Sequence, residues 1–349
     1  MRRGPAMFSV VIPLFDKRDY IQRALDSIYA QSIDPVQVPE IIVINDGSTD
    51  GGDALARRQA DGRVRVLDQA NRGVSAARNA GIAAASQPFL AFLDADDRWR
   101  PPFLETMRDL IQAHPGAVLY GSGFTTVRRG RPVGQHGIRA DELLRPLPAR
   151  PVEGEVDFFR AWCRDHVVHP SGMVVPRQAA LAIGGFAAGL AHCEDHLFLT
   201  RLALSGPVVL TSEPLVEYDV AVPGQFIEYW RGPYRERFDV LDYHRFLARE
   251  LRGRIAAGDG GEPGGAFATY ARRQLRTAVL QRAYWGNFPA VSRLWSELGL
   301  DDLHLGRLAH ACGWIARHPG LQRPLGACLH LARGLRGVLA GAGPGDGSA

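Results

Sequence analysis

The sequence predicts an α/β protein: a mostly parallel sheet flanked by helices, followed by a C-terminal α-helical region. Two observations carry this. From Phe8 to about Tyr218, short apolar runs alternate with helical patterns, which builds a sheet covered on both faces. After roughly Val222 the strand signals stop while helical periodicity continues.

The elements follow in order. Phe8-Ser-Val-Val-Ile-Pro13 is apolar and rich in β-branched residues, hence a buried strand. Asp19 can cap the next helix, where Tyr20, Ile21, Ala24, Leu25 and Ile28 recur at helical spacing. Pro35 and Pro39 break that helix, Ile41 to Ile44 is a second strand, and Asn45-Asp-Gly-Ser-Thr-Asp50 ends it in a turn. Val64 to Leu67 is a third strand, and Arg72 to Gly81 opens a helix of small residues able to lie close on the sheet. Phe89 to Leu93 is a fourth strand; a helix from about Pro102 to Ala113 and a strand near Val118 to Tyr120 follow. Arg128 to Pro151, rich in Gly, Pro and Arg, predicts a mobile loop suited to covering a site. Val156 to Arg164 is helical, Ser171 to Val175 a strand, and Gly184-Gly-Phe186 a turn. A helix starting near His192 has an acidic first turn, as the helix dipole favours. Val208 to Leu210 and Leu215 to Tyr218 complete the sheet as two short strands.

Beyond it, helical patterns occupy 234–252, 267–284, 288–298, 302–317 and 322–340, with a glycine-rich connection from Gly258 to Gly265. Tyr234, Phe238, Leu241 and Leu251 read as core-facing stripes. The expected organisation is a domain over 1–222, a helical region over 223–340 and a disordered tail over 341–349.

With 46% hydrophobic and 22% charged residues, the 349-residue chain can bury a sizeable core. A net charge of +4 gives no reason to expect nucleic acid as partner. The basicity is uneven: from Ala221 onward there are 17 Arg, no Lys and 11 Asp plus Glu, leaving the first 220 residues at −2. Cys163, Cys193, Cys312 and Cys328 show no C-x-x-C spacing, which suits a reduced cytoplasmic setting. Met1-Arg-Arg-Gly-Pro-Ala-Met7 runs straight into a strand without a small-residue cleavage site, so it does not read as a signal peptide. No run of 18 uncharged apolar residues could span a membrane.

The chemistry gathers at strand ends. Asp94, Asp96 and Asp97 follow the fourth strand at once. Open α/β sheets place ligands at the carboxyl ends of their strands. Side chains at i and i+2 share a face, so Asp94 and Asp96 can converge on one ion. Close carboxylates in a partly dry crevice repel unless a cation neutralises them. Capping of the helix near Pro101-Pro102 would account for Asp97 alone. Asp46 ends the second strand, where it could hold a base or ribose or simply make a turn. The helix start carrying Arg72 and Arg78 is a phosphate site. A carboxylate pair adds a hard divalent ion, Mg²⁺ or Mn²⁺, able to bridge phosphates. Together these features describe a site for a nucleoside diphosphate with a leaving group attached.

Ser9-Val-Val-Ile-Pro13, Val43 to Asp50, Asn71 to Gly81 and Phe92-Leu-Asp-Ala-Asp-Asp97 resemble, in order and spacing, the family 2 glycosyltransferases over about residues 7–220. Glu194-Asp195 falls where that family has its acidic catalytic motif. The resemblance implies a GT-A fold of Rossmann-like kind, a nucleotide-sugar donor such as a UDP-sugar, a divalent metal ion and inversion at the anomeric carbon. It implies that Pro13, Leu14, Phe15 and Asp46 hold the nucleoside and that Arg72 and Arg78 lie near the diphosphate. Asp94-Ala95-Asp96 would be the D-x-D element, with Asp96 the direct metal ligand and Asp94 towards ribose or metal. Asp16 stands where the family commonly has Asn. Asp195 would be the general base, with Glu194 second, for a hydroxyl acceptor on a growing glycan or lipid-linked saccharide.

Other readings stand beside these. Glu194 and Asp195 could be first-turn helix charges only, and Arg78 a surface arginine. His192 and His196 at i, i+4, with Cys163, His166, His169 and Cys193, raise a structural zinc, but no H-E-x-x-H glutamate or cysteine knuckle accompanies them. One of these histidines could instead complete the metal shell or contact the acceptor, or serve neither. In the last helix Leu325, Cys328, Leu329, Ala332, Leu335 and Leu339 form a stripe with Arg333 off it. That pattern fits docking on the catalytic domain, and also peripheral contact with an anionic membrane at its inner face. A sugar-1-phosphate nucleotidyltransferase would need a glycine-rich basic loop where Leu14-Phe-Asp-Lys17 stands. A non-catalytic nucleotide-sugar-binding protein would not need Asp94, Asp96 and Asp195 together. Sugar identity, acceptor identity and oligomeric state are open at this level.

Overall fold

The computed structural model describes residues 7–318 other than 39, 60–61, 129, 138–152, 191–192, 223–240, 258–264 and 285–287. It divides into two compact units, Met1–Val240 and Leu241–Ala349.

The first unit is built on one sheet. Its strands are β1 (Phe8–Leu14), β2 (Glu40–Asn45), β3 (Val64–Asp68), β4 (Phe89–Phe92), β5 (Arg98–Trp99), β6 (Leu119–Arg128), β7 (Arg131–His136), β8 (Glu153–Glu155), β9 (Met173–Pro176) and β10 (Val208–Asp219). They lie in the order β3-β2-β1-β4-β9-β6-β10-β5, with β7 beside β6 and β8 beside β10. Most of the ladder is parallel: β1 with β2 and β4, β2 with β3, and β6 with β10. β9 runs antiparallel between β4 and β6 and joins the two parallel blocks.

The helices are α1 (Arg18–Tyr29), α2 (Gly52–Arg57), α3 (Val74–Ala84), α4 (Phe103–Ala113), α5 (Phe158–Arg164), α6 (Arg177–Ala182) and α7 (Glu194–Ser205). They cover both sheet faces, which is why β1 is apolar at nearly every position rather than alternating. Val10, Ile12 and Leu14 pack in one core with Ile21, Leu25, Ile28 and Leu104. Val11 meets α3: a Cβ on Gly81 would lie 2.2 Å from Val11 Cγ1, so only glycine allows this approach. On β4, Phe92 packs edge-on to Phe186 and Phe198, whose rings stack at 3.9 Å.

Several elements differ from the sequence reading, each for a visible reason. Asp19 does not cap α1; the cap residue is Lys17, and the orphan amide of Arg18 donates to Asp50 Oδ2 at 2.7 Å from the loop after β2. Val208–Leu210 and Leu215–Tyr218 are one strand, whose register shifts around Pro214, a residue without an amide to donate. The loop expected from Arg128 to Pro151 begins as a hairpin, since β7 pairs antiparallel with β6. Its Gly and Pro content and exposed edge position hide the period-two pattern. The rest of that loop, 138–152, lies outside the described residues. β5 is two residues long, too short for any periodicity to register.

The second unit contains α8 (Leu241–Ala256), α9 (Ala266–Tyr284), α10 (Phe288–Leu298) and α11 (Arg307–Ala316). Leu247, Leu251, Tyr270, Leu275, Val291, Leu294 and Trp295 form its interior. Arg252 closes the C-terminal end of α10, donating to the carbonyl oxygens of Leu298 (2.6 Å) and Gly299 and to Asp302. Tyr234, Phe238, the connection over 258–264, the helix expected over 322–340 and the tail over 341–349 lie outside the described residues. Among the described residues no helix is long and apolar enough to cross a membrane.

Candidate active site

Because β1, β2 and β4 are parallel, their carboxyl ends share one edge, and the loops that leave them meet there. Of Pro13, Leu14 and Phe15, only Phe15 presents an exposed side chain, 45% accessible; Leu14 is core. The carbonyl of Leu14 accepts from the Asp46 amide at 2.8 Å, tying the first two loops together. The buried Asp46 carboxylate braces the approach to α3. Its Oδ1 accepts from Gln69 Nε2 (2.7 Å) and the Arg72 amide (2.9 Å), and its Oδ2 from the Gly73 amide (2.8 Å). Arg72 is exposed beside this loop.

Arg78 is not a surface arginine. Its side chain is 3% exposed, reaching Asp94 Oδ1 at 2.7 Å and Glu194 Oε1 at 3.3 Å with the guanidinium over the Phe186 ring. Burial works against its charge, but Asp94 and Glu194 outweigh that and hold it above the ordinary arginine value. Arg78 thus links the acid cluster after β4 to the acid pair opening α7.

The three aspartates after β4 divide sharply. Asp96 Oδ2 faces Lys17 Nζ at 3.1 Å, and its carbonyl accepts from Arg23 at 2.5 Å. Ala95 is packed in the core. Asp97 caps no helix: α4 starts after Pro102 without a side-chain cap, and Leu104 N donates to Gln31 instead. Asp97 is fully buried; its Oδ2 accepts from Ser171 Oγ at 2.5 Å and lies 3.4 Å from His169 Nδ1. Burial, then the neighbouring Asp96 and Asp94, push its carboxyl well above the carboxylate range.

Potential ligand atoms of Asp94, Asp97 and His169 all lie within 4.8 Å of one another. Asp97 Oδ1 is buried without a hydrogen-bond partner. Two carboxylates and an imidazole gathered this closely are a donor set that a hard divalent cation takes, so these residues fit Mn²⁺ or Mg²⁺. The expected pair was Asp94 with Asp96; the structure brings Asp94 together with Asp97 and His169, and turns Asp96 to Lys17. His169 stacks on Tyr218 at 4.5 Å, and burial lowers its basicity. Its arrival was hard to read because β9 is antiparallel. Ala91 pairs with Val174, so the residues before β9 lie at the carboxyl end of β4. For zinc, His192 lies outside the described residues, and the convergent group contains no cysteine.

Glu194 and Asp195 open α7 after Cys193, whose φ is +60°. Asp195 Oδ1 accepts from the His196 amide at 2.7 Å. Burial opposes its charge, but His196, Arg78 and that amide outweigh burial and hold its carboxyl below the usual range. Beside it, burial and repulsion by Asp195 push Glu194 up to about 7, against the pull of Arg78. The rings of His166 and His196 lie 5.1 Å apart against Trp162, and burial and the second imidazole depress His166 to about 4.

One stability effect follows from Glu194. Its folded value, about 7, lies above the ordinary 4.5, so its contribution is fully present below pH 4.5 and is lost as pH rises through 7. Relative to Glu194→Gln, the native protein should therefore lose about 3 kcal/mol between pH 4.5 and 8. Urea midpoints of the two proteins across that interval measure it.

The pattern of the family described as Glycosyl transferase family 2 matches residues 9–165. The uncharacterized glycosyltransferase YibD of Escherichia coli (strain K12) is 43% identical over 109 residues, 31% of this chain and 31% of YibD. The minor teichoic acid biosynthesis protein GgaA of Bacillus subtilis (strain 168) is 32% identical over 110 residues, 30% of this chain and 25% of GgaA. The chain thus spans about a third or less of the length of these relatives. The structure is similar to that of S. aureus TarS 1–349 in complex with UDP-GlcNAc, with a TM-score of 0.62 at 18% identity over 93% of this chain and 92% of that one. At that identity the likeness establishes a shared fold. With its strand-end motifs in order, the chain is similar to glycosyl transferase family 2 across residues 9–165.

Proposed function

We propose that this chain transfers a sugar from a nucleotide-diphospho-sugar, a UDP-sugar foremost, to a hydroxyl of a growing glycan or lipid-linked saccharide, with inversion. The observation that supports this most is the buried Arg78, which joins the Asp94 cluster to the Glu194-Asp195 pair. A leaving-group site and a base site then face one substrate. The relation to TarS, whose structure holds UDP-GlcNAc, supports the donor class, and GgaA, a teichoic acid biosynthesis protein, supports a polymer acceptor.

In this reading Phe15 and the loop braced by Asp46 hold the nucleoside, and Arg72 meets the diphosphate. Asp94, Asp97 and His169 hold the divalent ion, while Lys17 keeps Asp96 oriented beside them. When bound, the ion neutralises charge on the nucleoside diphosphate as it departs. Asp195, held ionised, takes the proton of the acceptor hydroxyl on the opposite face of the sugar. Residues 1–222 would carry the reaction and 223–340 form a helical appendage. The reaction would run on the cytoplasmic side, with the basic C-terminal segment touching an anionic membrane surface. A panel of nucleotide sugars with Mn²⁺, scored by slow donor hydrolysis, tests this without knowledge of the acceptor. One UDP-sugar should be consumed with release of UDP; if no nucleotide sugar is consumed, the proposal fails.

A further inference from the structure

We propose that Ser171 is the positioning residue that sets the spacing of Asp94, Asp97 and His169, and so the affinity of that trio for a divalent cation. The inference rests on the reading of the trio as a metal site. Ser171 sits in a single 3₁₀ turn, Pro170–Gly172, and is fully buried. It makes one contact to each member of the trio. Its hydroxyl donates to Asp97 Oδ2 at 2.5 Å and accepts from the Asp94 amide at 3.0 Å. Its amide lies 3.2 Å from His169 Nδ1, a contact that holds the ring and is given up when the imidazole binds the ion. Its carbonyl accepts from Trp99 Nε1 at 2.5 Å, so the indole pins the turn from behind.

A hydroxyl has one proton, and here the Asp94 amide takes its acceptor side, so that proton goes to Asp97. The hydrogen bond fixes Oδ2 and leaves Oδ1 as the unpartnered oxygen. The turn itself has little room to shift, since a Cβ on Gly172 would lie 3.2 Å from the Ser122 carbonyl and 3.3 Å from Val216. Groups that orient metal ligands in this way typically change metal affinity about 10–100-fold when removed.

The test measures Mn²⁺ binding to the full chain, without donor, from the electron paramagnetic resonance signal of the free ion. Ser171→Ala should weaken binding about 10–100-fold, with thermal unfolding still cooperative, and Ser171→Thr, which keeps the hydroxyl, should restore most of it. Should Ser171→Ala fail to fold, Ser171→Cys, with a weak donor of similar size, is measured in its place. Asp97→Asn alone should weaken Mn²⁺ binding, and adding Ser171→Ala to it should cost less than Ser171→Ala costs in the native chain, because part of the hydroxyl's effect runs through Asp97. Unchanged Mn²⁺ affinity in folded Ser171→Ala, or full additivity of the two losses, overturns the inference while leaving the metal site standing. Unchanged affinity in both Asp97→Asn and His169→Ala overturns the metal site and the inference with it.

Discussion

Asp195→Asn lowers turnover about 10²–10⁴-fold, the range for loss of a general base, and leaves donor affinity unchanged. Asparagine keeps the shape and can still accept the His196 amide, so the start of α7 is preserved. What it lacks is a charge to take up a proton. In the native protein that charge is kept against burial by His196 and Arg78. The measurement is kcat against donor KM, with UDP affinity by calorimetry as the control. A large fall in kcat at constant KM is expected. Turnover within tenfold of native would remove Asp195 from the role and leave Glu194, already near half-protonated at neutral pH, as the remaining acid of the pair.

Arg78→Met costs about 3–5 kcal/mol of stability, the cost of breaking a buried ion pair by removing one partner. Methionine fills the space under Phe186 but leaves Asp94, Glu194 and Asp195 facing one another without a counter-charge. The sign of the pH dependence follows. Glu194 loses the cation that opposed its rise, takes up a proton more readily, and relieves the repulsion in acid. The penalty should therefore be smaller at pH 6 than at pH 8.5. Adding Glu194→Gln should recover part of it, because one of the stranded charges is gone. Chemical denaturation of the single and double variants at both pH values checks this. A loss below 1 kcal/mol at pH 8.5 would show that Arg78 does not carry the linkage between the two acid groups.

Much of this site was legible in the sequence because its signals are local. A strand ending in acid, as in Phe92-Leu-Asp-Ala-Asp-Asp97, announces itself in six residues, and the parallel order of β1, β2 and β4 brings such ends together. What escaped depends on one local turn and on contacts between distant segments. The period-two rule makes Asp94 and Asp96 share a face only while the chain stays extended. Here β4 stops at Phe92 and the Asp97 amide bonds back to the Asp94 carbonyl at 3.0 Å, a turn that swings Asp97 beside Asp94. Lys17, 79 residues earlier, then engages Asp96. His169 and Ser171 join because β9 runs against its neighbours, a direction that alternation of strands and helices does not encode. The cap of α1 shows the same limit: Asp19 has the right residue type beside the helix start, but Asp50, from another loop, makes the bond.

In the proposed function, one metal-dependent site at this edge binds and breaks down a nucleotide sugar. The most direct measurement is UDP release from UDP-GlcNAc and its relatives by the native chain, with Mn²⁺, with EDTA, and with Asp97→Asn. Slow release that needs Mn²⁺, stops with EDTA and falls at least tenfold in Asp97→Asn is the expected result. Release that persists in EDTA and is unchanged by Asp97→Asn would contradict it.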